Sequence, residues 1–134
     1  QKITADNLPA PVNATFKSMF SIADKPVWEL YDENYEVEFK VGKADFSALF
    51  DKDGKWLQTQ TYMKPSELPE PVKDKLIKEF GELSGYKIGE AEKVEALGKA
   101  IEYDLEVEKG ELNYAMTFSE AGAILHKEEV KDKN

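Results

Sequence analysis

Tyr35-Glu36-Val37-Glu38-Phe39 begins a segment, Tyr35 to Leu57, whose pattern the chain repeats. Its apolar and polar residues alternate, which is the period of a half-buried β-strand. The pattern returns 68 positions later as Tyr103-Asp104-Leu105-Glu106-Val107, and each copy continues with glycines and apolar residues at matching spacings. The matching residues are Gly42, Phe46, Phe50, Gly54 and Leu57 in the first copy and Gly110, Tyr114, Phe118, Gly122 and Leu125 in the second. This repetition predicts two structural copies of one unit.

A helix is predicted in front of the strands of each copy. The segments Leu8-Pro9-Ala10-Pro11 and Leu68-Pro69-Glu70-Pro71 open these helices, because proline fits the first helical turn, where its missing N–H is not needed. Apolar residues then recur at helical spacing and form one stripe on each helix. The stripes are Val12, Phe16, Met19 and Phe20 in the first helix and Val72, Leu76, Ile77, Phe80 and Leu83 in the second. The polar ends of the chain, residues 1–7 and 131–134, are predicted to be loose.

Four strands are predicted after each helix. They cover residues 27–31, 35–41, 44–50 and 56–62 in the first copy and residues 86–95, 99–109, 111–118 and 124–130 in the second. The short connections favour an antiparallel meander. The predicted class is therefore α+β, a tandem repeat of a helix plus a four-stranded antiparallel meander, with about eight strands in one sheet and two helices on one face. Because about 60 residues is marginal for an independent fold, residues 1–134 are predicted to form a single domain of two structural repeats, about 8–63 and 67–130.

The turn at Asp53-Gly54 decides which face Trp56 occupies. Asp-Gly is a strong signal for a two-residue hairpin turn. Such a turn pairs Phe50 with Leu57, so Leu57 faces the helix and Trp56 lies on the other face beside Leu49. A bulge in this hairpin would reverse the assignment.

Composition limits the possible functions. The formal net charge of −9 argues against binding phosphate backbones of nucleic acids and against docking on anionic membranes, whereas a cationic partner remains open. The absence of cysteine excludes disulfides and thiolate chemistry. No apolar run approaches the roughly 20 residues that span a bilayer, so no membrane insertion is expected. Because the sequence starts at Gln1 without a methionine, it is interpreted as a mature exported chain, periplasmic or secreted, with its signal peptide removed.

Two local motifs suggest metal or catalytic sites but are better explained structurally. Asp51-Lys52-Asp53-Gly54 resembles the start of a calcium loop, yet the twelfth position, where a glutamate is required, is Tyr62. A hairpin turn is the preferred interpretation. His126 is the only histidine and lacks the partners of a metal or catalytic site. It is predicted to be a surface histidine on the same side of its strand as Ile124. No catalytic residue, cofactor or metal site is predicted.

Acidic residues alternate along two predicted strands. Paired carboxylates can hydrolyse glycosides when they are held at a fixed separation. Strand alternation explains them more simply as a solvated sheet face, and an acidic patch that recruits a basic partner is a further possibility. The residues are Glu36, Glu38, Glu102, Asp104, Glu106 and Glu108.

A partner-binding surface is predicted at Leu49, Trp56 and Tyr62. With the two-residue turn these side chains lie on the face away from the helices, where exposed aromatic groups can mark a binding surface. The alternative, given equal weight, is that loops or the neighbouring copy cover them. Trp28 is predicted to be core, because Ile88, which aligns with it, is also apolar.

The motifs resemble those of the PepSY-like proteins of Bacteroidetes. The resemblance is carried by Leu8-Pro9-x-x-Val12, by Tyr35-Glu36-Val37-Glu38-Phe39 and by Phe50-Asp51-x-x-Gly54-x-Trp56-Leu57. It implies a fold similar to that of beta-lactamase inhibitory protein and an exported, periplasmic location. The second copy departs from the pattern, with Ser119 and Ile124 where the first has Asp51 and Trp56.

The predicted function is a non-enzymatic binding or inhibitor-like module. The helix-free sheet face or an edge strand would hold a protein or peptide, with no nucleic acid among the partners, and the chain itself is expected to be a monomer. Two alternatives stay open at this point. One is a hydrolase that uses acidic residues on the sheet face, and the other is a structural module without a ligand.

Overall fold

A computed structural model describes residues 1–81 and 85–130 of the chain. These residues form two α-helices and nine strands, together with short 3-10 segments, so the predicted α+β class is confirmed. The paired strands run antiparallel. In chain order the elements are β1 Lys2–Ile3, α1 Ala10–Met19, β2 Asp24–Tyr31, β3 Asn34–Val41, β4 Ala44–Phe50, β5 Trp56–Tyr62, α2 Glu70–Phe80, β6 Lys87–Ala96, β7 Glu102–Lys109, β8 Leu112–Ser119 and β9 Ile124–Glu129.

The chain divides into two compact units, each of which is described by itself. Unit 1 takes in residues 1–61 and 95–99, and unit 2 takes in the described residues of 62–94 and 100–134. In unit 1 the strands from β1 to β5 pair in chain order, and in unit 2 the strands from β6 to β9 do the same. Short turns join most of these strands, as expected for antiparallel neighbours.

The first seven residues are more ordered than the sequence predicts. Lys2 and Ile3 pair with Glu29 and Trp28 as a short edge strand, and Ile3 packs against the core of unit 1. Residues 5–7 then form a turn of 3-10 helix. The prediction of a loose start is wrong because this segment has a strand edge, that of β2, to pair with.

The core of unit 1 is a cluster of aromatic rings between α1 and one face of the strands. Phe16 of α1 meets Trp28 edge-on at 5.2 Å and Phe39 at 5.3 Å between ring centroids, geometries that aromatic pairs prefer. Trp28 is buried, which confirms its predicted core position. The other buried residues of this cluster are Val12, Val37, Ala48 and Phe50.

The core of unit 2 uses more aliphatic residues in the same arrangement. Leu76 of α2 is fully buried, as Phe16 is nearly so in unit 1, and it lies among residues of β7 and β8 such as Leu105 and Met116. Phe80, at the end of α2, contacts the rings of Tyr86 and Tyr114. Leu83, the last residue of the predicted stripe, lies outside the described residues, as do residues 131–134.

The hairpin between β4 and β5 has a longer loop than the predicted two-residue turn. The Asp51 N–H donates to the carbonyl of Lys55, and the Asp51 carbonyl accepts from the N–H of Gly54. The Asp51 carboxylate also accepts the backbone N–H groups of Asp53 and Lys55. Asp51 therefore serves the turn, and the hairpin interpretation of this motif is confirmed.

A β-bulge follows this hairpin and changes the predicted pairing. Phe50 lies opposite Trp56 and Leu49 opposite Gln58, so Leu57 is the extra residue. A bulge shifts every residue on one side of it to the other face. The predicted pair of Phe50 with Leu57 is wrong, and Trp56 faces the core instead of lying beside Leu49.

The same bulge recurs in unit 2. Phe118 lies opposite Ile124, Thr117 lies opposite His126, and Leu125 is the extra residue. Ile124 therefore packs against the core, whereas His126 lies on the opposite face. The prediction that these two residues share a side is wrong for the same reason as in unit 1.

Each hairpin tip touches the start of the helix of its own unit. A Cβ atom on Gly54 would lie 2.5 Å from the carbonyl oxygen of Pro11, and one on Gly122 would lie 2.5 Å from that of Pro71. Both glycines also have a positive φ, of 87° and 92°, which L side chains rarely adopt. The two repeated glycines therefore allow the hairpin and the helix to approach at backbone distance.

Lys127 ties β9 to the end of α2. Its Nζ is 2.8 Å from a carboxylate oxygen of Glu79 and lies 5.2 Å and 4.9 Å from the ring centroids of Phe80 and Tyr114. The hydrogen bond and the charge of Lys127 lower the pKa of Glu79. Because the folded-state pKa lies below the unfolded one, this stabilisation is present above the unfolded pKa and is lost as the pH falls through the folded pKa.

Replacing Lys127 with methionine should lower the free energy of unfolding by about 1 kcal/mol at pH 7, since it keeps the apolar stem and removes the cation. Urea unfolding at pH 7 and at pH 3 measures the effect. The Glu79 part of the difference should decrease as the pH falls towards the lowered pKa of that carboxyl. A difference that is equal at both pH values would contradict the ion pair.

Candidate functional site

The candidate site is a shallow groove on the outer face of unit 2, the face of its strands that is turned away from α2. Four strands contribute to it. The groove has a volume of about 240 Å³ and is called the acidic groove below. Its polar lining residues are Glu90, Glu92, Asp104, Glu106, Thr117 and His126.

Strand pairing brings the four carboxylates together. Glu90 lies directly opposite Glu106, and Glu92 lies directly opposite Asp104, on the neighbouring strands β6 and β7. A register shift at Gly89 sets this alignment. Like charges directly opposite each other destabilise a sheet, by an amount on the order of 0.2–1 kcal/mol for each pair. The groove therefore concentrates negative charge at a cost to the stability of the unit.

The environment of the groove changes the pKa of Glu92. Partial burial raises its pKa, and the charges of Asp104 and Glu90 raise it further. Asp104 itself accepts a hydrogen bond of 2.8 Å from the hydroxyl of Thr117. Since the folded-state pKa of Glu92 exceeds the unfolded one, the folded state loses stability as the pH rises above the unfolded pKa and this carboxyl ionises.

Replacing Glu92 with glutamine should therefore raise the free energy of unfolding by about 0.5–1 kcal/mol at pH 7, because the neutral amide removes the repulsion. The matched control is Glu111→Gln, at an exposed turn position in the same unit, which should change stability by less than about 0.5 kcal/mol. Urea unfolding measures both. Destabilisation of Glu92→Gln at pH 7 would show that the carboxylate is held favourably.

The corresponding face of unit 1 balances its charges differently. Glu36 accepts a hydrogen bond from the hydroxyl of Ser47, and Lys40 pairs with Asp45 at 2.6 Å. Glu38 lies opposite Val27 and Ser47. The predicted acidic face thus exists in both units. Among the described residues, unit 1 has one directly opposed carboxylate pair, Glu29 with Glu36, and unit 2 has two.

His126 is a surface histidine, as predicted. Its side chain is 57% exposed, and its Nε2 lies 3.1 Å from a carboxylate oxygen of Glu128. No group of three or more histidines, aspartates or glutamates in residues 1–81 and 85–130 is arranged to hold a metal ion. His126 forms one wall of the acidic groove.

The predicted surface of Leu49, Trp56 and Tyr62 is not assembled as expected. Leu49 lies on the outer face of unit 1, opposite Glu36 and Gln58. Trp56 packs against the core and donates its indole N–H to the hydroxyl of Thr59, which is buried, at 2.7 Å. Tyr62, at the end of β5, is 42% exposed. A binding role for Leu49 and Tyr62 stays a prediction, but Trp56 does not share the face of Leu49.

Replacing Trp56 with alanine should lower the free energy of unfolding by about 2–3 kcal/mol, because it removes a ring packed on the core and leaves the buried Thr59 hydroxyl without this donor. Leu49→Ala is the comparison and should cost less than about 1 kcal/mol. Thermal or urea unfolding measures both. Unchanged stability of the Trp56→Ala variant would support the prediction from sequence that Trp56 is exposed on the outer face.

The sequence contained a signal for two groove residues that the strand analysis missed. Glu90 and Glu92 share the alternation of β6, but only the pairing with β7 shows that they face Glu106 and Asp104. Thr117 was likewise recognisable only by its position opposite Asp104. These contacts join segments distant in the chain, so local patterns could not place them.

Comparison with known proteins identifies the family. A family model described as beta-lactamase-inhibitor-like and PepSY-like matches residues 33–126. The chain belongs to this PepSY-like family. The resemblance predicted from the repeated motifs is thereby confirmed. No curated protein matches the sequence.

Solved structures share the fold of this PepSY-like protein. A DUF2874 family protein from Bacteroides ovatus is 21% identical, with a TM-score of 0.83 over 96% of this chain and 92% of that one. A BLIP-like protein from Bacteroides fragilis is 20% identical, with a TM-score of 0.82 over 95% and 89%. One of the "putative periplasmic proteins" of Bacteroides eggerthii is 21% identical, with a TM-score of 0.81 over 92% and 89%. At these identities the likeness establishes the fold alone.

The helices of this protein are short. Neither described helix combines the length and the hydropathy that crossing a bilayer requires.

Proposed function

We propose that this PepSY-like protein is an exported, non-enzymatic, inhibitor-like binding module that holds a protein or peptide on the outer face of its sheet or along an edge strand. The observation that carries the proposal is the acidic groove of unit 2, where Glu90 opposes Glu106 and Glu92 opposes Asp104. The family description as beta-lactamase-inhibitor-like agrees with a binding role.

The energetics of the groove favour a ligand that carries positive charge. Opposed carboxylates destabilise the free protein. Partial burial raises the pKa of Glu92, and the repulsion from Asp104 and Glu90 raises it further. A lysine or arginine side chain placed between them would replace repulsion by attraction. Sites that sacrifice stability in this way are typical of surfaces kept for function.

The overall charge supports the same partner. The chain carries a formal net charge of −9, which accelerates encounters with cationic partners and disfavours anionic ones. The groove adds local complementarity to this long-range attraction. Binding is therefore expected to weaken strongly as the salt concentration rises.

Affinity capture from a native envelope fraction tests the proposal, and the repeat provides a matched control. The double substitution Asp104→Asn with Glu106→Gln neutralises the groove in unit 2. Glu36→Gln with Glu38→Gln neutralises the two equivalent positions of unit 1, 68 residues earlier.

The unit 2 variant should retain about a tenth or less of the captured partner, as expected for a hot-spot charge cluster. The unit 1 variant should retain most of it. Equal capture by both variants and the wild type would contradict the assignment of the outer face of unit 2.

A hydrolase that uses the groove carboxylates is the second candidate. The observation in its favour is the raised pKa of Glu92 beside Asp104, since a general acid needs a carboxyl that stays protonated near its working pH. Its test is hydrolysis of chromogenic glycosides by wild type and by Glu92→Gln. Activity that Glu92→Gln abolishes would favour the hydrolase, and no activity together with specific capture would favour the binding module. If the protein shows neither hydrolysis nor specific capture, the remaining hypothesis is a structural module that has no ligand.

Export to the periplasm is part of the proposal. It is supported by the description of the Bacteroides eggerthii relative. Cell fractionation of the product of the full-length gene tests it. Recovery in the cytoplasmic fraction would contradict it.

The proposal also treats residues 1–134 as one domain made of two repeats, about 8–63 and 67–130. The support is the shared order of elements and the matching contacts of Gly54 with Pro11 and of Gly122 with Pro71. A single calorimetric transition would favour one domain, and two independent transitions would contradict it. That the two halves share one sheet, with both helices on one face, stays a prediction.

A further inference from the structure

Strand β9 is the last described strand of unit 2 and has one strand neighbour, β8, among the described residues. The Val130 N–H donates to the Asn113 carbonyl at 2.7 Å, which fixes which backbone groups face β8. In an antiparallel pair these groups alternate along the strand. The backbone groups of Lys127 and Glu129 therefore point away from β8, along the outward edge of β9.

The equivalent strand of unit 1 shows what such an edge can hold. Leu57, the bulge residue of β5, accepts a hydrogen bond of 2.9 Å from the N–H of Leu97, and residues 95–99 belong to unit 1. In unit 1 the chain itself thus supplies a backbone donor to the edge of the bulged strand, from residue 97 in the turn that follows β6. Leu125 is the bulge residue of β9, and its side chain is 52% exposed.

We propose that the outward edge of β9 is a strand-addition site that takes an extended, cationic segment of another polypeptide. A backbone N–H of that segment donates to the carbonyl of Leu125, as Leu97 does to Leu57 in unit 1. This inference rests on the proposed function, in that it names the edge and the partner through which the binding module works. Main-chain hydrogen bonds supply the affinity in such complexes, and alternate side chains supply the specificity.

The charges of β9 select the partner. Lys127 is already held by Glu79, so the exposed charges along this strand are the carboxylates of Glu128 and Glu129, with His126 close to Glu128. A cationic segment finds complementary charge there. A second copy of this chain is the less suitable occupant, because each copy carries a formal charge of −9 and would be repelled.

A synthetic nonapeptide provides the probe. It has the sequence of residues 91–99, which includes the segment that docks on β5, and carries Glu92→Lys and Glu95→Lys to make it cationic. The matched control is the same peptide with an N-methyl group on the leucine, which removes the donor N–H and no side chain. Two-dimensional amide NMR of the whole chain maps the binding.

The cationic peptide should shift the amides of residues 124–130 in a saturable way, and N-methylation should weaken binding about tenfold. Glu129→Pro removes an outward N–H that β8 does not use, a change that edge strands tolerate, and should weaken binding to a similar extent. An intact spectrum for the rest of unit 2 checks that this variant is folded.

Three outcomes would overturn the inference. They are no shifts at millimolar peptide, shifts confined to the acidic groove, and equal binding of the N-methylated peptide. If envelope capture still depends on Asp104 and Glu106 in any of these cases, the binding function stands and the strand-addition site falls. Conversely, the peptide could bind at β9 while envelope capture is unchanged by Asp104→Asn with Glu106→Gln. In that case the strand-addition site stands and the binding role of the acidic groove falls.

Discussion

Gly122→Ala is expected to lower the free energy of unfolding by about 3 kcal/mol or more. The added Cβ would lie 2.5 Å from the carbonyl oxygen of Pro71 and 2.8 Å from its carbonyl carbon. Both are backbone atoms in the first turn of α2, so no side chain can move aside. The φ of 92° adds about 1–2 kcal/mol of strain for an L residue, and the crowding adds about 1–3 kcal/mol.

Gly110→Ala separates the two contributions. Gly110 also has a positive φ, of 62°, but a Cβ there would meet nothing within 4 Å. This variant should therefore cost about 1 kcal/mol, the strain alone. Urea unfolding of both variants measures the difference. Equal losses would show that the hairpin tip moves freely away from α2 and that the close contact is unimportant.

Phe16→Ala is expected to cost about 3–5 kcal/mol, as large-to-small changes in cores typically do. The ring of Phe16 lies at the centre of the core of unit 1, with Trp28 at 5.2 Å and Phe39 at 5.3 Å, both edge-on. Its removal leaves a cavity that three strands and α1 surround. Since a domain is stable by only about 5–15 kcal/mol, this loss should leave unit 1 marginal.

Tyr31→Ala is the control for removing an aromatic ring. Tyr31 is 65% exposed, so its loss should change the free energy of unfolding by less than about 0.5 kcal/mol. Near-ultraviolet circular dichroism during urea unfolding follows the aromatic core directly. A Phe16→Ala variant as stable as Tyr31→Ala would contradict the described packing of α1.

Local patterns were sufficient to predict most elements of the fold. The proline-led openings placed both helices within two residues of their observed starts, because Pro11 and Pro71 fit the first helical turn. Alternation placed β4 and β5 at their observed bounds, 44–50 and 56–62. Both signals depend only on residues that are neighbours in sequence, so a single sequence is sufficient to detect them.

Predictions that depended on strand pairing were less successful. One extra residue, Leu57, reverses the face of Trp56, and Leu125 does the same for His126. The alternation of apolar and polar residues around Trp56 does not indicate this bulge. The bulge follows a three-residue hairpin loop and keeps the core-facing residues of β5 directed towards the helix. Its position therefore depends on packing between the sheet and the helix.

The candidate site was predictable in part. Asp104 and Glu106 were recognised as an acidic strand face, but their neighbours Glu90 and Glu92 were not, because a register shift at Gly89 sets that alignment. The two units also differ in a way that repetition conceals. Unit 1 has one directly opposed carboxylate pair, Glu29 with Glu36, whereas unit 2 has two on neighbouring strands.

Site-specific photo-crosslinking tests the central claim, that the outer face of unit 2 contacts the partner. Benzoylphenylalanine replaces His126, which forms one wall of the acidic groove, or Lys78, which is exposed on α2. Irradiation in an envelope fraction should give a specific adduct from position 126, abolished by Asp104→Asn with Glu106→Gln, and none from position 78. An adduct from position 78 alone would contradict the account.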